Sequence, residues 1–224
     1  MKRYFTLIEL VVVVAMSSVL FCLLAIVGCK PREDGKLVEC SANLKKLYEA
    51  SASYSAENDD YYVMAYDPKT GRYWFDELYA RAGTSSLHSK TNLSGPSPFI
   101  CPAIDGCYAT DSNAENGGVR YGVNYGYNGN LQESKVNVGL TKELVSPEKM
   151  LLFGDAYLNM ESACTPKATF YVITAPSVFK PAIGQIRPGF ETHDGKANIC
   201  WADGHVAPST QEQFKHENVV PEWK

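Results

Sequence analysis

An apolar run opens at Phe5 and continues to Cys29, interrupted by a single charged residue, Glu9. Leu10 to Cys29 gives twenty consecutive uncharged residues, the length an α-helix needs to cross a hydrocarbon core of roughly 30 Å. The run therefore reads as a membrane helix, and that reading governs everything after it. A carboxylate at the bilayer centre costs about 2.5–3.5 kcal/mol, so Glu9 calls for a partner. Lys2 and Arg3 precede the run, which orients the N-terminus toward the cytoplasm and the bulk of the chain outside. A cleaved signal peptide would have a shorter apolar stretch and no carboxylate within it.

Gly28, Pro31 and Gly35 follow, and Pro removes a backbone donor and clashes with the preceding turn, so a break is expected near Lys30-Pro31. Helix then resumes. Leu37, Cys40, Leu44, Leu47, Ser51 and Tyr54 recur at steps of three and four as far as Asn58-Asp59-Asp60, one stripe of an amphipathic helix. Tyr73 to Ala82 suits a short helix carrying Trp74, Phe75 and Leu78, whereas 84–98 and 111–118 read as loops. Met150-Leu151-Leu152-Phe153 and Phe170-Tyr171-Val172-Ile173 are strand candidates. Tyr and Asn alternate through 121–130, a pattern of tight turn and strand more than of a binding strip. The clearest hairpin spans 196–207 around Asp203-Gly204, read as a type I′ turn with both central residues at positive φ.

The organisation that results is a leader at 1–4, an assembly helix at 5–29, a helical stalk at 30–58 and an exported head at 59–224. The fold class is α+β: a long N-terminal helix and stalk, then a head with a small antiparallel sheet and long loops. About 195 residues beyond the anchor are enough for a real core. A net charge of −4 leaves no basic surface for nucleic acid.

The stretch Lys2-Arg3-Tyr4-Phe5-Thr6-Leu7-Ile8-Glu9-Leu10 resembles the prepilin cleavage and methylation motif of type IV pilins and type II secretion pseudopilins. The resemblance implies cleavage by a prepilin peptidase between Tyr4 and Phe5, and methylation of the Phe5 amine. It also implies that Glu9 pairs with that amine on a neighbouring subunit. Tyr4 stands where the family normally has Gly, which predicts slower cleavage. His193, nine residues, then Asp203-Gly204 is similar to the H-x9-DG signature of a prepilin-type processing-associated domain. Cys40-Ser41-Ala42-Asn43-Leu44-Lys45, Cys101-Pro102 and Tyr125-Gly126-Tyr127-Asn128 resemble further landmarks of those proteins. The implied function is structural: a pilin-like filament subunit in the inner membrane with its head outside, partnered by other pilin or pseudopilin subunits. The competing reading is a membrane-tethered lipoprotein or ligand-binding module that does not polymerise, since Ile26-Val27-Gly28-Cys29 also resembles a lipobox.

Of seven cysteines, five lie beyond the apolar run, an odd number in a compartment that permits disulfides. Cys101 would close a small loop with Cys107, or staple the stalk by pairing with Cys40. Zinc ligation is disfavoured because no second close-spaced pair is present. Asp155, Asp194 and Asp203 offer oxygens for calcium, but without the carboxylate spacing of a calcium loop. His193 next to Asp194 and near Asp203 suggests acid–base chemistry. With no third partner, His193 is read instead as a hydrogen-bonding residue at the hairpin base. The expectation is therefore no catalytic residue, no metal and no cofactor.

Overall fold

The computed structural model describes residues 6–27, 31–83, 88–89, 97–103, 109–110, 120–121, 125–132, 139–156, 172–173, 188–190 and 192–224; at 22–27, 31–34, 88–89, 109–110, 120–121, 172–173 and 216 the description is of backbone alone. The chain divides into two units, Met1–Gly35 and Lys36–Lys224. The first carries α1 (Leu7–Val27), whose side chains from Leu7 to Phe21 are all exposed. Those residues cover about 22 Å at 1.5 Å per residue, and among the described residues no helix is long and apolar enough to cross a membrane. The expected break near Lys30 lies outside the described residues.

α2 runs over Pro31–Glu57. Its expected stripe is the buried face of the second unit: Cys40, Leu44 and Leu47 are fully buried and Ser51 nearly so. Leu37 and Tyr54 flank the stripe and are half-buried. The helix ends where Asp59 and Asp60 turn left-handed, at φ 52° and 64°. The Asp60 N–H then donates back to the Ser55 carbonyl at 2.9 Å, which satisfies a carbonyl the helix leaves open. Short-chain Asp tolerates this conformation better than most residues.

α2 packs on a five-stranded sheet. In chain order its strands are β6 (Tyr125–Asn128), β7 (Leu151–Asp155), β8 (Val172–Ile173), β9 (Lys196–Trp201) and β10 (Val206–Thr210), arranged β10-β9-β7-β6-β8. All pairs are antiparallel except β6 with β8. Two smaller sheets pair β1 (Tyr66–Asp67) with β2 (Arg72–Tyr73), and β3 (His88–Ser89) and β4 (Ala109–Thr110) with β5 (Arg120–Tyr121). The loop expected over 84–98 thus contains a strand at 88–89, held by cross-strand pairing with β5 that local composition does not reveal. The loop expected at 111–118 lies outside the described residues, as do Phe170 and Tyr171.

The sheet buries both faces. Cys200 joins the larger core with α2, while its neighbours Ala197 and Ile199 face Phe190, Phe214 and Val219 on the other side, as the two-residue period of a strand requires. A register shift between Leu151 and Phe153 lets Leu152 and Phe153 both join the larger core, the effect of one extra residue in a strand. α3 (Trp74–Leu78) supplies the centre: the Trp74 ring lies 5.2 Å from Phe153, 5.9 Å from Tyr127 and 5.9 Å from Phe99. Within the Tyr-Asn stretch, Tyr125–Asn128 forms buried strand. Tyr127 donates its hydroxyl to Val63 O at 2.8 Å, and the Asn128 amide donates to Leu151 O and Val219 O, both at 2.9 Å.

Candidate functional site

The H-x9-DG spacing is the length of one strand with its two turns. His193 precedes β9, and Asp203-Gly204 follows it. At the first end His193 and Lys196 exchange backbone hydrogen bonds of 3.0 and 3.2 Å across Asp194-Gly195. Both of those central residues have positive φ, 52° and 83°. This is the two-residue hairpin geometry that the sequence reading assigned to the other Asp-Gly. At the second end Gly204 N–H donates to Trp201 O at 2.9 Å, and of the turn residues only Gly204 takes positive φ, 90°. The hairpin stands where it was expected, but its turn is the longer kind with one left-handed glycine.

Both ends of the motif hold α2. The Lys45 ammonium donates to Gly204 O at 3.0 Å, and a Cβ at Gly204 would overlap the Tyr48 ring. One turn back along the helix, Ser41 Oγ contacts Asn198 Oδ1 at 3.4 Å, and Asn198 Nδ2 donates to Leu37 O at 3.3 Å. His193 reaches Cys40 through a buried cluster.

That cluster contains Cys40 from α2, Cys101, Asp155 at the end of β7 and His193. Their Sγ, Sγ, carboxylate O and ring N atoms all lie within 4.8 Å of one another. Cys40 Sγ is 3.3 Å from Asp155 Oδ1, Cys101 Sγ is 3.4 Å from His193 Nε2, and His193 Nε2 is 3.4 Å from Asp155 Oδ2. Asn198 N–H donates to Asp155 Oδ2 at 2.7 Å and fixes the carboxylate. All four residues are buried. The Tyr125 hydroxyl adjoins them, buried and without a hydrogen bond of ordinary geometry among the described residues.

Electrostatics in this volume are strong because water is excluded. Burial alone would lower the His193 imidazole, yet its hydrogen bond with Asp155 and its contact with Cys101 hold it up at about 10. Burial pushes the Cys40 thiol well up, and Cys101 adds to the effect. Burial also opposes ionisation of Cys101, but Cys40 and His193 together bring that thiol below its ordinary value.

The expected neighbours of His193 are not the ones it has. Asp203 contacts His205 Nδ1 at 2.7 Å on the surface, and β9, about 20 Å of extended chain, intervenes. Asp194 is exposed. Asp155, Asp194 and Asp203 therefore form no calcium set; the one ligand group found among the described residues contains only Asp155. Cys40 and Cys101 do meet, and the structure carries both as thiols. Cys107, Tyr4 and Phe5 lie outside the described residues.

Glu9 has a partner within its own chain. Its Oε2 accepts from Thr6 N–H at 2.9 Å and from Thr6 Oγ1 at 2.8 Å, while Thr6 Oγ1 faces Glu9 N at 3.4 Å. Thr6 and Glu9 form the capping box that opens α1, a Thr-x-x-Glu signature present in the sequence and passed over there in favour of the isolated charge.

No protein-family model matches the chain, and no solved structure matches it. Among curated proteins it is 30% identical over 127 residues to the type IV major pilin protein PilA of Myxococcus xanthus (strain DK1622), an alignment covering 55% of this chain and 53% of the pilin. The chain thus spans about half the length of that curated relative.

Proposed function

We propose that the chain is a structural, non-enzymatic subunit of a type IV pilus-like or type II secretion filament, anchored in the inner membrane with its N-terminus cytoplasmic and its head outside. The observation that carries this reading is the character of α1. Leu7, Ile8, Leu10, Val11, Val12, Val13, Val14, Met16, Val19, Leu20 and Phe21 are each at least half exposed on all sides of one helix. A helix apolar all round belongs in lipid or among like helices, and each such side chain gains about 1.5–3 kcal/mol on burial. The similarity to a pilin supports the same reading, and a prepilin peptidase is the implied processing partner.

In the filament, helices of neighbouring subunits bundle and Glu9 meets the Phe5 amine of the next subunit. A buried carboxylate left alone would oppose any other axial register. The capping box provides a discriminating test, because Gln caps as Glu does but carries no charge. Glu9→Gln is expected to stay in the membrane fraction with α1 intact and to drop out of cross-linked subunit ladders. Ladders equal to wild type would refute charge pairing. The mass of the mature N-terminus tests processing: methylated Phe5 supports the filament reading, whereas lipidated Cys29 or an intact Met1 overturns it.

A further inference from the structure

We propose that Cys40, Cys101, Asp155 and His193 bind one zinc ion that fastens α2 to the sheet. Thiolate sulfur, imidazole nitrogen and carboxylate oxygen are all zinc ligands, and four of them complete a tetrahedral site. With zinc bonds of roughly 2.0–2.3 Å, the edges of such a tetrahedron measure about 3.3–3.8 Å. Cys40 Sγ to Asp155 Oδ1 at 3.3 Å, and His193 Nε2 to Cys101 Sγ and to Asp155 Oδ2 at 3.4 Å each, fall on that scale, the carboxylate turning a different oxygen to each neighbour. The remaining pairs lie within 4.8 Å, so closing on an ion takes side-chain adjustment rather than refolding.

Burial makes the site closed. Cys40, Cys101 and Asp155 are fully buried and His193 is nearly so, which suits a structural ion and leaves no open position for a reacting water. The carboxylate is already oriented by Asn198 N–H, which donates to Oδ2 at 2.7 Å, as ligating carboxylates usually are. The backbone of His193 is fixed by the tight turn that begins β9. Zinc displaces the two thiol protons and any proton on His193 Nε2 to solvent; the ligands are then two thiolates, one carboxylate and a neutral imidazole.

A Cys40–Cys101 disulfide is the principal rival. It would use the sulfurs alone and leave Asp155 and His193 facing it as a buried pair with no part in the link. All four donors instead converge on one point, and they come from four separate segments. The inference concerns how the head is held together, and it stands whether or not the chain polymerises.

The test uses the full chain purified in detergent without chelator. Elemental analysis is expected to find about one zinc per chain, and cobalt exchange is expected to give the visible bands of tetrahedral thiolate-bound cobalt. Cys101→Ser and His193→Ala should lose the zinc, while Cys200→Ser, which alters a buried thiol outside the cluster, should retain it. If the first two variants fail to fold, the zinc content and cobalt spectrum of the wild type decide. A folded wild type that takes up neither metal overturns the proposal. So does a Cys40–Cys101 disulfide in chain isolated from its own membrane, or equal metal loss in Cys200→Ser.

Discussion

The two long helices differ in how their apolar residues are arranged. α1 is apolar on every side, its described side chains are exposed, and its N-terminal Glu9 is tied to Thr6. α2 gathers most of its large apolar residues into one stripe, Val38 apart, and the stripe is buried under β9, the Asp203-Gly204 turn and the cysteine cluster. Stability of the head and retention in a membrane or filament should therefore respond to separate sets of substitutions.

Leu44→Ala and Leu10→Ala test that separation most sharply. Leu44 is fully buried while Leu10 is 59% exposed, so Leu44→Ala should cost the head about 2–5 kcal/mol. Leu10→Ala should leave the melting temperature of the head unchanged and weaken only membrane or filament association. Equal losses of head stability in thermal melts would erase the distinction.

Gly204→Ala should have a smaller effect, about 1–3 kcal/mol, because the new Cβ meets Tyr48 at a left-handed position. Urea titration reads this, and a Gly204→Ala chain as stable as wild type would mean that the turn does not clasp α2.

The smallest effect is at alkaline pH. Burial pushes the Cys200 thiol up to about 12 and raises Tyr62, Tyr125 and Tyr127 above the ordinary tyrosine range. An unfolded chain releases these protons first, with thiols near about 8.5 and phenols near about 10. Their contribution to stability is thus complete below about pH 8 and is lost as pH rises toward the folded values. Melting temperature should fall progressively above about pH 9, and a flat profile to about pH 11 would contradict this account of the core.

α2 was legible because its signal is local: residues three and four apart share a face, and the stripe could be read directly. The short helix of Trp74, Phe75 and Leu78 was legible for the same reason, though it ends at Leu78 and not at Ala82, and all three side chains are buried. The hairpin after β9 was found, but its turn was misassigned. Two Asp-Gly pairs flank that strand, and only hydrogen-bond pairing tells which is tight. The cluster was legible only in part, since a meeting of Cys40 with Cys101 was one of two expected pairings while Asp155 and His193 were not joined to them. Cys40 and Asp155 are 115 residues apart and Cys101 and His193 are 92 apart, so no spacing rule for close ligand pairs could join them. Thr6-x-x-Glu9 was legible and overlooked, since one carboxylate in an apolar run draws attention to distant partners before near ones.

The contacts that cover α2 also impose an order on synthesis. Ser41 waits 157 residues for Asn198, and Lys45 waits 159 for Gly204. At 5–20 residues per second this is a delay of roughly 10–30 s. For the whole of that interval α1 and α2 have emerged while β9 and the Asp203-Gly204 turn, which complete the cover of the stripe, have not. The nascent chain is therefore most vulnerable to aggregation at its N-terminal end, and a holding partner on that end would matter more than one acting on the finished head.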